Sequence, residues 1–90
     1  MSITDTIRQR LQVELQPTRI TIQDDSEEHA GHASAMGAAH LTLYIVSAKF
    51  EGLSELSRHR LIYKILAKEM KTAVHALSIR ALTPTEADKS

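Results

Sequence analysis

The chain has 90 residues, of which 42% are hydrophobic and 24% charged, a size and composition typical of one small domain spanning residues 1–90. Eleven basic and eleven acidic side chains give a formal net charge of zero, so no global field draws the chain to nucleic acid or to an anionic membrane. No apolar run approaches the ~18 residues of a membrane span, and the first residues lack the apolar core of a signal peptide, so we expect a cytoplasmic protein.

The first predicted elements are an amphipathic helix and a short strand. Four apolar residues recur every fourth position and form one face of the helix: Ile3, Ile7, Leu11 and Leu15. Ser2 supplies an N-cap and Pro17 ends the helix. Polar and apolar residues then alternate over residues 19–23, which is typical of a half-buried strand.

A polar segment separates this strand from the next one. Residues 24–39 show no pattern of a buried element and are predicted to form a long loop, and loops of this length are usually functional. Residues 40–47 form the strongest predicted strand, which places Leu41, Leu43 and Ile45 on one face.

The second half of the chain predicts a helix, a strand and a short terminal helix. Gly52 breaks the chain and Ser54 offers a cap, after which residues 58–73 form the main helix. One side of this helix is apolar: Leu61, Ile62, Ile65, Leu66 and Met70. A third strand covers residues 75–82, and residues 83–86 begin the terminal helix.

The order of these elements predicts the fold class. The connection between the second and third strands passes through the main helix, which favours a parallel pair, whereas the first two strands can pair antiparallel across the loop. We therefore predict an α+β domain of order α-β-β-α-β, with a small three-stranded mixed sheet and helices packed on one face.

Three histidines are the first candidates for chemistry. His29 and His32 lie in the predicted loop and His75 begins the third strand. Imidazole is a common metal ligand near physiological pH, and a chain without cysteine that handles a soft metal or a cluster must obtain sulfur from elsewhere. The residues alone leave the alternatives open, namely a solvated loop for His29 and His32 and a structural histidine for His75. His40 and His59 are expected to be structural.

Basic side chains along the main helix are the second candidate site. They predict a ridge that could neutralise phosphates: Arg58, Arg60, Lys64, Lys68 and Lys71, with Lys49 nearby. The alternative is a solvated helix face on which Glu55 and Glu69 lower the local charge. No phosphate loop, nucleophile elbow or paired buried carboxylates mark an enzyme, and we expect none.

Several segments of the chain resemble the BolA family. They are residues 24–26 with His29, residues 40–47, residues 50–54, the Arg-His-Arg triplet opening residues 58–63, and Val-His-Ala-Leu at residues 74–77. The resemblance covers nearly the whole chain. It implies a class II KH-like fold and a monothiol glutaredoxin as partner. In such pairs the glutaredoxin and its glutathione supply sulfur to a bridging [2Fe-2S] cluster, and the BolA-like chain supplies histidine.

The resemblance also assigns roles to individual residues. It implies that His75 and His29 are the cluster ligands, with His32 as the alternative ligand in the loop. It further implies a DNA-binding transcriptional regulator as an alternative function, and it allows homodimers. A KH module grips the nucleic-acid backbone through a Gly-x-x-Gly loop, whereas residues 52–55 read Gly-Leu-Ser-Glu, which weakens the DNA-binding alternative.

Overall fold

The computed structural model describes residues 2–25, 39–72 and 74–89 of the chain. It has four α-helices in this part, α1 (Ile3–Leu15), α2 (Glu55–Ile65), α3 (Ala67–Thr72) and α4 (Pro84–Lys89). The strands are β1 (Arg19–Asp24), β2 (Ala39–Val46) and β3 (Val74–Leu82), and a short 3-10 helix follows β2 at Ala48–Phe50. None of the helices in these ranges is long and apolar enough to cross a bilayer.

The three strands form one mixed sheet in the order β1-β2-β3. β1 pairs antiparallel with β2, with Arg19 opposite Val46 and Asp24 opposite Leu41. β2 pairs parallel with β3, and the connection between them passes through α2 and α3. Both pairings and the α+β class are as the element order predicts.

One face of the sheet carries the core. Leu41, Leu43 and Ile45 of β2 are each at most 2% exposed and pack with Ile7 and Leu11 of α1. Ile62 and Leu66, from the crossover connection, complete this layer. The opposite face of the sheet exposes polar side chains: Thr42, Ser78 and Arg80. The helices therefore cover the face on which Leu41, Leu43 and Ile45 present apolar side chains to bury.

Both ends of α1 follow from local chemistry. The Ser2 hydroxyl accepts a hydrogen bond from the Asp5 N–H at 3.2 Å, which caps the first turn. Gln16 has φ 46° and donates its N–H to the Gln12 carbonyl. A residue before proline is disfavoured in the right-handed helical region, so Pro17 forces the chain to leave the helix at Gln16.

Ser47 joins the end of α1 to the end of β2. The predicted strand included Ser47, whereas in the structure Ser47 lies just after the end of β2. It is fully buried. Its hydroxyl donates to the Leu15 carbonyl at 2.6 Å and accepts from the Lys49 N–H at 3.1 Å. One side chain thus satisfies a terminal carbonyl of α1 and caps the 3-10 helix.

The prediction of a single main helix over residues 58–73 is wrong in two respects. α2 begins at Glu55 because the Ser54 hydroxyl accepts from the Ser57 N–H and caps the helix there. The helix then breaks at Leu66, whose φ of −98° and ψ of 19° separate α2 from α3. The apolar spacing persists through the break, so periodicity alone does not reveal it.

The break brings α3 against α1. Glu69 of α3, which the alternative of a solvated helix face places in solvent, is 5% exposed, and its Oε2 accepts from Arg10 Nε at 2.7 Å. The second carboxylate oxygen, Oε1, is buried and has no hydrogen-bond partner. A buried carboxylate needs a charged partner, so the ion pair fixes where α3 packs.

Candidate functional site

The backbone of His75 lies at an irregular position in the sheet. In the register of β2 and β3, Ala39 faces Val74 and His40 faces Ala76, with a shift between these two pairs. His75 is therefore the extra residue of a β-bulge, at the end of the sheet where α3 passes into β3. Bulges redirect side chains and are frequent beside functional sites.

Both ends of the histidine-containing segment reach this same end of the sheet. The Asp25 N–H donates to the His40 carbonyl at 2.7 Å, and the Thr42 hydroxyl donates to Asp25 Oδ2 at 2.7 Å. β2 begins at Ala39, which pairs with Val74. His29 and His32 themselves lie outside the described residues, so their approach to His75 stays a prediction.

The other two histidines differ in their surroundings. His40 is half-buried in β2, and its backbone carbonyl bonds Asp25 as above. His59 is half-buried in α2, where its Nε2 lies 4.0 Å from Glu55 Oε1 and makes no hydrogen bond. Within residues 2–25, 39–72 and 74–89, no three His, Asp or Glu side chains are grouped to hold a metal ion.

The structure exposes most, but not all, of the basic side chains of the predicted ridge. Arg60, Lys64, Lys68 and Lys71 are exposed on α2 and α3, and Lys49 is exposed in the 3-10 helix. Placing Arg58 on this ridge is wrong, because Arg58 is only 8% exposed. Its side chain turns toward the sheet and the terminal helix instead of toward solvent.

Arg58 connects three elements of the fold. Its Nε donates to the Leu53 carbonyl at 3.0 Å, and its Nη1 donates to the Ala81 carbonyl at 3.0 Å. The guanidinium also forms a two-point ion pair with Glu86 of α4, at 2.6 and 3.2 Å. The hydrogen bond that Arg58 donates to the Glu86 carboxylate raises the pKa of Arg58, so the side chain remains a cation that makes internal contacts.

Glu86 completes a capping box at the start of α4. Its Oε1 accepts from the Thr83 N–H at 2.9 Å, while the Thr83 hydroxyl accepts from the Glu86 N–H at 3.2 Å. The hydrogen bond from Arg58, and then that from the Thr83 amide, lower the pKa of Glu86 to about 2. The Thr-Pro-Thr-Glu sequence signals this cap, but only the tertiary structure brings Arg58 to it.

Side chains of α2 also cover the outer edge of β3. The Ser47 N–H donates to the Leu82 carbonyl. The backbone N–H and C=O groups of even-numbered residues near this end of β3 therefore point toward β2, and those of odd-numbered residues point away from the sheet. The outward carbonyls of Leu77 and Ala81 accept from the Tyr63 hydroxyl at 3.2 Å and from Arg58. These bonds reduce the tendency of the β3 edge to pair with another strand.

Comparison with known proteins places these features in a family. A profile described as BolA-like protein matches residues 11–86. The chain is 45% identical over 84 residues to the protein BOLA1, chloroplastic, of Arabidopsis thaliana, covering 89% of this chain and 52% of that protein. It is 36% identical over 86 residues to the DNA-binding transcriptional regulator BolA of Haemophilus influenzae, covering 96% of this chain and 82% of that protein.

The fold agrees with these sequence matches. The structure of BolA1 from Arabidopsis thaliana superposes with a TM-score of 0.85 and 42% identity, and the match covers 96% of each chain. The chain spans about half or less of the full length of the plant proteins that it matches in sequence.

Proposed function

The chain belongs to the BolA-like family, and on that premise we propose that it is a cytoplasmic adaptor that binds a monothiol glutaredoxin and shares a bridging [2Fe-2S] cluster with it. The cluster is cargo that the pair delivers, stores or senses. Its sulfur ligands come from the glutaredoxin and glutathione, because this chain has no cysteine. Its nitrogen ligands are His75 and one loop histidine, His29 in preference to His32.

The observation that carries this proposal is the β-bulge at His75. It lies at the end of the sheet where the segment bearing His29 leaves at Asp25 and returns at Ala39. Only three residues separate His29 from Asp25 along the chain. A cluster shared between two proteins needs ligands at an accessible end of the fold, and this end supplies candidates from two separate segments.

The donor set predicts the chemistry of the shared cluster. Two neutral imidazoles in place of two thiolates raise the reduction potential, as they do in Rieske centres. Metal binding requires the neutral ring, so the complex is expected to lose its cluster as the pH falls through the imidazole pKa. Such a site suits transfer or sensing better than permanent storage of iron.

The test is spectroscopic. Visible absorption and circular dichroism of a cluster-loaded monothiol glutaredoxin with glutathione are recorded before and after addition of this chain. We expect a new spectrum that His75→Ala abolishes and that the matched variant His59→Ala retains. An unchanged glutaredoxin spectrum, or equal effects of the two variants, would contradict the proposal. His29→Ala and His32→Ala then identify the loop ligand.

A DNA-binding regulator is the second candidate function. The exposed cations Arg60, Lys64, Lys68 and Lys71 and the description of the Haemophilus influenzae relative favour it. Against it, Glu55, whose side chain is 85% exposed, stands where a KH phosphate clamp has glycine. In duplex-DNA titrations, neutralising Arg60 and Lys64 is expected to weaken binding and to reduce its salt dependence. His75→Ala is expected to leave the affinity for the duplex unchanged.

A further inference from the structure

A groove runs between α1 and α2, away from the candidate cluster site. It encloses about 840 Å³ and is lined on α1 by residues between Thr6 and Leu15 and on α2 by Leu61, Lys64 and Ile65. Lys49 of the 3-10 helix also lines it. A volume of this size is within the range of protein sites that hold a ligand of several hundred daltons.

Apolar side chains line part of the groove. Val13 is 70% exposed although its neighbours on α1, Leu11 and Leu15, are buried. Leu61 and Ile65 are only partly buried against the core. These side chains leave apolar surface in contact with water, which a partner could cover with a gain in free energy.

Exposed lysine side chains line the groove. Arg10 also lines the groove, but its charge is already paired with the buried Glu69 through Nε at 2.7 Å. The exposed Lys49 and Lys64 make no ion pair with any carboxylate within residues 2–25, 39–72 and 74–89. The one carboxylate in the lining is Glu14, so the two lysines outnumber it.

We infer that this groove docks a short amphipathic helix of a partner protein, with acidic residues beside an apolar stripe. Two helices with a groove between them receive a third helix through apolar anchors spaced at i, i+3, i+4 and i+7. The apolar side chains of the groove take the anchors, and Lys49 and Lys64 pair with the acidic flanks. Nucleic acid fits less well, because Val13, Leu61 and Ile65 offer no donors to phosphates and no aromatic surface to bases.

The groove is separate from the proposed cluster site. Leu15 and Lys49 are held together through Ser47, after the end of β2 that pairs with Leu82. His75 lies at the opposite end of the same two strands. A helix in the groove therefore leaves the His75 end open, and this inference holds or fails independently of the glutaredoxin proposal.

The test uses three synthetic peptides of 14 residues carrying a fluorescent label. The first has leucine at positions 4, 7, 8 and 11 and glutamate or alanine elsewhere, the second replaces the leucines by serine, and the third replaces the glutamates by lysine. We expect fluorescence anisotropy to show binding of the first peptide alone. Val13→Glu, and separately Lys49→Glu with Lys64→Glu, each weaken it by about tenfold or more.

Lys68→Glu is the matched control, because it reverses a charge on α3 outside the groove lining. It is expected to change the affinity by less than about twofold. All substituted side chains are exposed, so circular dichroism should show unchanged folding. No binding of the first peptide, binding of all three peptides alike, or an equal loss in Lys68→Glu would overturn the inference. A 20-base-pair DNA duplex that displaces the peptide, and whose own binding is unchanged in Val13→Glu, would also overturn the inference.

Discussion

Replacing Arg58 by methionine tests whether this residue is a structural cation or a surface contact. Methionine keeps the unbranched stem in the helix but removes the guanidinium. The carbonyls of Leu53 and Ala81 then lose its hydrogen bonds, and the Glu86 carboxylate keeps only the bond from the Thr83 amide. Hydrogen bonds to charged groups contribute about 1.5–3 kcal/mol each, but bonds made by one side chain do not add fully. Glu86 is 45% exposed and regains water, which offsets part of the loss.

We therefore expect Arg58→Met to lower the free energy of unfolding by about 2–4 kcal/mol. For a chain of this size that corresponds to a fall in melting temperature of roughly 8–30 °C. Urea unfolding followed by circular dichroism measures the free energy of unfolding, and a thermal scan followed by the same signal measures the melting temperature. Arg60→Met is the matched control on the same helix; Arg60 is exposed, so a change below about 0.5 kcal/mol is expected. A loss below about 1 kcal/mol in Arg58→Met, or equal losses in the two variants, would refute the assignment.

Three further predictions concern pH, a buried hydroxyl and a turn. The hydrogen bonds from Arg58 and then from the Thr83 amide lower the pKa of Glu86 from 4.5 to about 2, so the stability that the ionised carboxylate contributes is present above about pH 4.5 and is lost as the pH falls toward 2. Urea unfolding at about pH 6 and about pH 2.5 gives the loss of stability on acidification, which should be smaller in Glu86→Gln than in the unsubstituted protein. An identical pH dependence of the two proteins would contradict this assignment. Ser47→Ala should lower the free energy of unfolding by about 2 kcal/mol, by leaving the final carbonyl of α1 unpaired, whereas exposed Ser78→Ala changes it by less than about 0.5 kcal/mol. Gly52 has φ 81° with open space around an added Cβ, so Gly52→Ala should cost about 1 kcal/mol in thermal unfolding and Gly52→Asn less.

Sequence reasoning predicted the order of the elements because the apolar periodicity is local. The four-residue spacing of α1 and the alternation in β2 each encode which side of an element is buried. The parallel pairing of β2 and β3 followed from the intervening helical pattern, since such a crossover constrains strand direction. The break at Leu66 was missed because the apolar stripe continues through it.

The candidate site was predicted unevenly for a comparable reason. His75 was selected through the family resemblance, whereas the bulge at its position is a register shift between two distant strands. Arg58 was assigned to a basic ridge because helical spacing places it near Arg60 and Lys64. Its true partner, Glu86, is 28 residues away, and no local pattern reports a contact at that separation.

The sequence by itself determined the fold class, the caps at Ser2 and Ser54, and the lack of any thiolate for a cluster. These depend on neighbours within one or two turns or on composition alone. Only the tertiary structure decided which charged side chains pair inside the protein and which face solvent. Arg58 and Glu69 became internal partners, while Lys49 and Lys64 came to line a groove with Val13. Burial removes water from a charge and makes its partner obligatory, and burial is decided by packing between elements distant in the chain.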